Sequence, residues 1–175
     1  NSLKIMAVLH RLNGDTVQAA TDLTAIKAID PLDHWADFES YLNQPSEEKL
    51  QRFSAAINHE LPEQTWLETA LTYIRLGQKA DALTVLDKAP SHPLAALWKA
   101  WLRKDPALLN EAALAPVGFV FPYRTETLDP LTWAVGQNSS WKFRYYLALN
   151  LWGIGREEEA RDLLQQCGDA PDDAV

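Results

Sequence analysis

One cysteine, one methionine and seven glycines are few for 175 residues, and each shortage excludes something. Cys167 stands alone, so neither a disulfide framework nor a cluster of thiolate metal ligands can form within one chain. The glycines make no phosphate-cradling loop, and no serine sits in a nucleophile elbow. His10, His34, His59 and His92 are isolated, and His59-Glu60 lacks the second histidine that a zinc-binding helix needs. No apolar run approaches the roughly eighteen residues of a membrane span, and residues 1–20 lack a basic head followed by an apolar stretch. A membrane partner is therefore not expected. Basic residues are short as well. The 16 Lys and Arg stand against 24 Asp and Glu, for a net charge of −8, and they are scattered. Nucleic acid, which needs clustered cations to neutralise phosphates, is not an expected partner.

What is there is a repeat. Ala7, Leu12, Gly14, Ala19, Leu23 and Pro31 recur as Ala70, Leu76, Gly77, Ala82, Leu86 and Pro93, then as Ala148, Gly155, Ala160, Leu164 and Pro171. In every copy the alanines are twelve residues apart and the glycine stands five before the second alanine. Small side chains mid-way along two antiparallel helices let their backbones approach closely. The glycine between them ends the first helix in the left-handed conformation that a Cβ resists. Asp15, with Gln18 three residues on, is placed to cap the second helix. Prolines 31, 93 and 171 stop the second helices, because proline has no amide proton to continue one.

A hairpin of about 34 residues with these small, glycine and proline positions resembles the tetratricopeptide repeat. The middle copy carries the likeness most fully, in Trp66, Ala70, Tyr73, Gly77, Ala82, Leu86 and Ala89. Leu3, His10 and Ile26 replace the tryptophan, tyrosine and last alanine in the first copy, and Arg144, Leu151 and Cys167 stand at those places in the third. The clear repeats lie near 1–33, 64–96 and 141–174. Degenerate hairpins are read at 34–62, where Trp35, Phe38 and Leu42 form a stripe and Ser46 caps a second helix, and at 94–115, where Asp105-Pro106 opens one. The resemblance implies an all-α, right-handed superhelical solenoid of antiparallel helix hairpins. Pairing along the whole chain gives about eleven helices in a single domain, 1–175. The run Glu157-Glu158-Glu159 reads as the first turn of a helix, where carboxylates are favoured, and Asp33, His34 and Asp37 as a solvated helix start.

Residues 116–124 break the rhythm. With two prolines, a glycine and three aromatics, Ala115 to Tyr123 cannot be helical throughout. The expectation is an extended connector packed down by Phe119, Phe121 and Tyr123; the alternative is a ligand-binding loop. This stretch, followed by Trp133, the Trp141-Lys-Phe-Arg-Tyr-Tyr run and Gly155-Arg-Glu-Glu-Glu-Ala, resembles the carboxy-terminal repeat region of long bacterial proteins of uncharacterised function. In those proteins a sandwich similar to galactose-mutarotase-like domains precedes the helices. The likeness covers mainly 117–171 and implies a carbohydrate-related parent protein, but it transfers no catalytic residue. The chain runs from Asn-Ser to Asp-Asp-Ala-Val without the polar capping helix that repeat arrays need, so it is expected to be a segment of a longer protein.

Most of the seven tryptophans fall on apolar stripes and are expected in the core. Cys167 is expected there too, as a small buried filler. By the repeat alignment Tyr145 and Trp152 project toward the concave side beside Lys142, with Arg11 and Arg75 at similar places earlier, which marks these five as candidate partner-binding residues. The asparagine and lysine with which some such domains clamp a terminal carboxylate are replaced by Ile5, Val8, Glu68, Leu71, Tyr146 and Leu149. The expectation is a non-enzymatic scaffold, with no catalytic, cofactor or metal residue. Its partner would be a protein, a peptide, a second copy or the upstream domain of its own chain. The alternative is an accessory role in a saccharide site, through Tyr145, Trp152 or the Phe119–Arg124 loop.

Overall fold

Helices pair where both can do without a side chain of any size. Ala7 and Ala19, Ala70 and Ala82, and Ala148 and Ala160 are all buried, and each couple joins two consecutive helices that pack against each other. The turn glycines between them, Gly14, Gly77 and Gly155, take φ of 78°, 74° and 83°, values that an L side chain rarely adopts. The computed structural model describes residues 2–59 and 61–171. Among these it has eleven α-helices and no strand. Asn1, Glu60 (the second residue of the His59-Glu60 pair) and 172–175 at the end of the third repeat lie outside the described residues.

The chain forms two compact units, 1–88 and 89–175. The first holds α1 (Ser2–Leu12), α2 (Thr16–Ile29), α3 (His34–Asn43), α4 (Glu47–Ala56), α5 (Pro62–Arg75) and α6 (Lys79–Lys88). They pack as the successive pairs α1–α2, α3–α4 and α5–α6. Short polar side chains start the second to fourth helices: Asp15 accepts from the Gln18 amide, Asp33 from Ala36 and Ser46 from Lys49, each cap contributing about 1 kcal/mol. The core of this unit is aromatic. Phe53 meets Trp66 edge to face at 4.7 Å between ring centroids and Phe38 at 5.1 Å, and Tyr73 stands 5.6 Å from Trp35.

The second unit holds α7 (Pro93–Arg103), α8 (Leu109–Leu114), α9 (Leu128–Gln137), α10 (Trp141–Gly153) and α11 (Glu157–Cys167). A short 3-10 turn capped by Asp105 leads into α8, and Pro130 sits in the first turn of α9, where its missing amide costs nothing. The three glutamates 157–159 form the exposed first turn of α11. Cys167 closes that helix, buried, with its Sγ 3.3 Å from the Leu163 carbonyl. Burial pushes its thiol pKa up, so it behaves as the apolar filler its repeat position implied. No helix among the described residues is long and apolar enough to cross a membrane.

Ala82 has no exposure between α5 and α6. Ala82→Leu should overpack that junction and cost roughly 1–3 kcal/mol, read as a lowered thermal midpoint. An unchanged melt would show that the two helices do not meet there.

Candidate functional site

Arg11, one of the five candidates, lies in the first unit with its guanidinium held by two carboxylates. Its Nε donates to Glu39 Oε1 at 2.6 Å, and its Nη2 reaches Asp81. Glu39 has no exposure, and its other oxygen accepts the Tyr73 hydroxyl at 2.7 Å. Burial works to lower the Arg11 pKa, but its bonds and charge attraction to Glu39 and Asp81 outweigh that and raise it. The Tyr73 phenol is held well above its ordinary pKa, by burial first and then by the Glu39 charge. An arginine expected to meet a partner is therefore largely covered and paired within its own unit. The sequence signal for this was Glu39 itself, a carboxylate on the same helical stripe as Trp35, Phe38 and Leu42.

Several other polar groups of this unit are also paired close to home. His10 Nδ1 meets Asp22 at 2.6 Å. Asp37 pairs with Lys27 and Asp33 with Lys4, each at 2.8 Å, so the expected solvated helix start is in fact tied to two neighbouring helices. Arg75 is exposed in the last turn of α5.

In the second unit α10 grips the irregular segment at two points. Lys142 Nζ donates to the Ala115 carbonyl where the segment begins. Asn150, with no exposure, donates its side-chain amide to the carbonyls of Pro122 and, at 2.8 Å, Arg124 where it ends. Between these points the chain turns, the Val120 amide bonding back to the Val117 carbonyl. Phe119 sits in this turn at φ 60°, in a conformation that favours glycine and costs a side chain of this size on the order of 1 kcal/mol.

The segment then alternates. Val120 and Pro122 face inward and are buried, while Phe119, Phe121 and Tyr123 are 80%, 46% and 56% exposed. This reverses the expectation that the aromatics pack the connector down: an aliphatic and a proline do that, and the three rings face solvent. The Arg124 guanidinium lies over the Tyr123 ring at 5.1 Å. Lys142 is accordingly a clamp on the segment, and Tyr145 is half-buried, edge to face with Trp141 at 5.9 Å. Trp152, at the far end of α10, is 49% exposed. A concavity of about 540 Å³ opens between α9, α10 and α11 with Leu147, Leu151 and Leu163 in its wall. On its edge the exposed pair Arg156–Glu159 shares two hydrogen bonds of 2.6 Å, which lower the glutamate's pKa and raise the arginine's. Among the described residues no group of three or more His, Cys, Asp or Glu is placed to hold a metal ion.

Removing Arg11 would strand Glu39 as an unpaired buried charge. Arg11→Met should cost roughly 3–5 kcal/mol in urea unfolding, and Arg11→Met with Glu39→Met markedly less. A loss below about 1 kcal/mol for the single variant, as for an exposed ion pair, would put Arg11 back on the surface.

No protein-family model, no curated protein and no solved structure matches this chain, so none of these residues takes a role from a relative.

Proposed function

We propose that the chain is a tetratricopeptide-type helical-repeat scaffold without catalytic chemistry of its own, and that it binds polypeptide through the 119–124 segment of its second unit. The three outward aromatic rings on a pinned backbone carry this reading. Aromatic side chains are the commonest anchors of protein interfaces, often worth about 2 kcal/mol or more each once desolvated. Free aromatic loops lose much of that gain to ordering, whereas a segment held by Lys142 and Asn150 has less entropy left to lose. Strain at Phe119 is what a displayed functional residue tolerates and a mere connector has no use for. The buried alanines twelve residues apart, with a left-handed glycine five before the second of each pair, support the repeat assignment, and with it the solenoid.

A saccharide role is the second reading, and exposed rings favour it to a degree. Saccharide sites, however, need several polar groups converging on one pocket, and Phe119 and Phe121 bring none.

Display selection of random peptides against the whole chain tests the choice. Peptides rich in bulky apolar residues should be enriched, and Phe119→Ser with Phe121→Ser and Tyr123→Ser should weaken the selected peptides at least about tenfold, which is 1.4 kcal/mol. Equal binding by the triple variant would overturn the assignment of the segment. Selection of glycans instead of peptides, dependent on the same rings, would replace it with the saccharide reading.

A further inference from the structure

One face of the helix hairpin occurs twice in this chain, closed in one copy and open in the other. Leu151 and Glu159 stand at the repeat places of Tyr73 and Asp81, and Leu163 at the place of Val85. In the α5–α6 hairpin Tyr73 and Val85 have no exposure, Trp35 and Phe38 of α3 lie 5.6 and 6.3 Å from the Tyr73 ring, and Arg11 reaches Asp81. In the α10–α11 hairpin Leu151 falls short of where a tyrosine would reach, Leu163 is half-exposed, and with Leu147 they line the groove of about 540 Å³. That volume lies within the roughly 300–1,000 Å³ of ligand sites. Chain order gives a reason. Just as α4 precedes α5, α9 precedes α10, so the irregular 115–124 segment falls where α3 does in the order, and an extended chain fills less width than a helix roughly 10 Å across.

The closed copy says what chemistry fits this face: an aromatic ring against the hairpin and a guanidinium on its acidic rim. The open copy keeps both halves of that pattern. Its floor is aliphatic, and Asp129 on α9 and Asp162 on α11 are exposed, line the groove and make no ion pair among the described residues. Glu159 is already answered by Arg156, so the charge on offer is that of the two aspartates. Backbone chemistry narrows the occupant further. The leucines give no hydrogen bonds, and the Asn150 amide is spent on Pro122 and Arg124. A guest must therefore satisfy its own backbone, as a helix does.

We propose that this groove takes a helical segment of another polypeptide that carries an aromatic residue and an arginine on one face. The ring seats on Leu147, Leu151 and Leu163, as Phe38 and Trp35 seat on Tyr73, and the guanidinium bonds to Asp162 or Asp129, as Arg11 bonds to Asp81. Arginine suits this place better than lysine, because its planar fork matches a carboxylate bidentately. None of residues 119–124 lines the groove, so the site stands apart from the aromatic segment.

The test follows the leucine methyl resonances of the whole chain, those of Leu147, Leu151 and Leu163 being assigned by single Leu→Ile substitutions. An alanine-based helical peptide with Phe and Arg one turn apart should shift these methyls in a saturable, salt-weakened way. Asp162→Arg, a change at an exposed position, should weaken binding at least about tenfold, as should exchanging the peptide's Arg for Glu or its Phe for Ala. The variant with Phe119→Ser, Phe121→Ser and Tyr123→Ser should bind the peptide unchanged, which separates this groove from the aromatic segment. Unshifted methyls, undiminished binding of the Glu or Ala peptide, or loss of binding in the triple variant would overturn the proposal. Shifts that grow with protein concentration alone would overturn it as well, by giving the groove to a second copy of the chain.

Discussion

A polar side chain with no exposure to water must find its partners inside the protein, because an unmade hydrogen bond there costs roughly 1–3 kcal/mol and an unpaired charge more. Glu39 and Asn150 both have no exposure, and much of each unit is arranged around one of them. Glu39 of α3 takes Arg11 from α1 and Tyr73 from α5, and Arg11 goes on to Asp81 of α6. One carboxylate thus ties the three hairpins of the first unit, and none of them can shift against the others without stranding a charge. Asn150 answers the opposite problem. Residues 115–124 have no helix to satisfy their carbonyls, and its amide takes two of them. The first constraint holds helices in register, and the second fixes which side of an extended segment faces out.

The scaffold was legible because its rules are local. Spacing placed the six buried alanines and the three left-handed glycines, and short polar residues before apolar stripes placed the caps Asp15, Ser46 and Asp105. The degenerate hairpin α3–α4 was found by its apolar stripe and the Ser46 cap, without the repeat signature. Cys167 fell into the core because its repeat position, and not its chemistry, decided its environment.

The candidate site was less legible, for two physical reasons. A basic residue at a surface-type repeat position reads as solvent-facing until its acidic partner is found, and Glu39 and Asp81 stand 28 and 70 residues from Arg11. Pairing over such distances leaves no mark on local periodicity. In the irregular segment hydrophobicity pointed the wrong way: rings are usually buried, so Phe119, Phe121 and Tyr123 were expected beneath the chain. Period-two alternation buries either 119, 121 and 123 or 120 and 122. What decided was a buried asparagine about 26 residues away, taking carbonyls at 122 and 124.

The most direct test of this account is a double-mutant cycle on unfolding free energy with Arg11→Met and Tyr73→Phe. The two side chains come from the first and third hairpins and both bond to Glu39. If that carboxylate couples the hairpins, the two losses should be non-additive by at least about 1 kcal/mol. Additivity within about 0.5 kcal/mol would contradict it, because each hairpin would then hold its place without the shared charge.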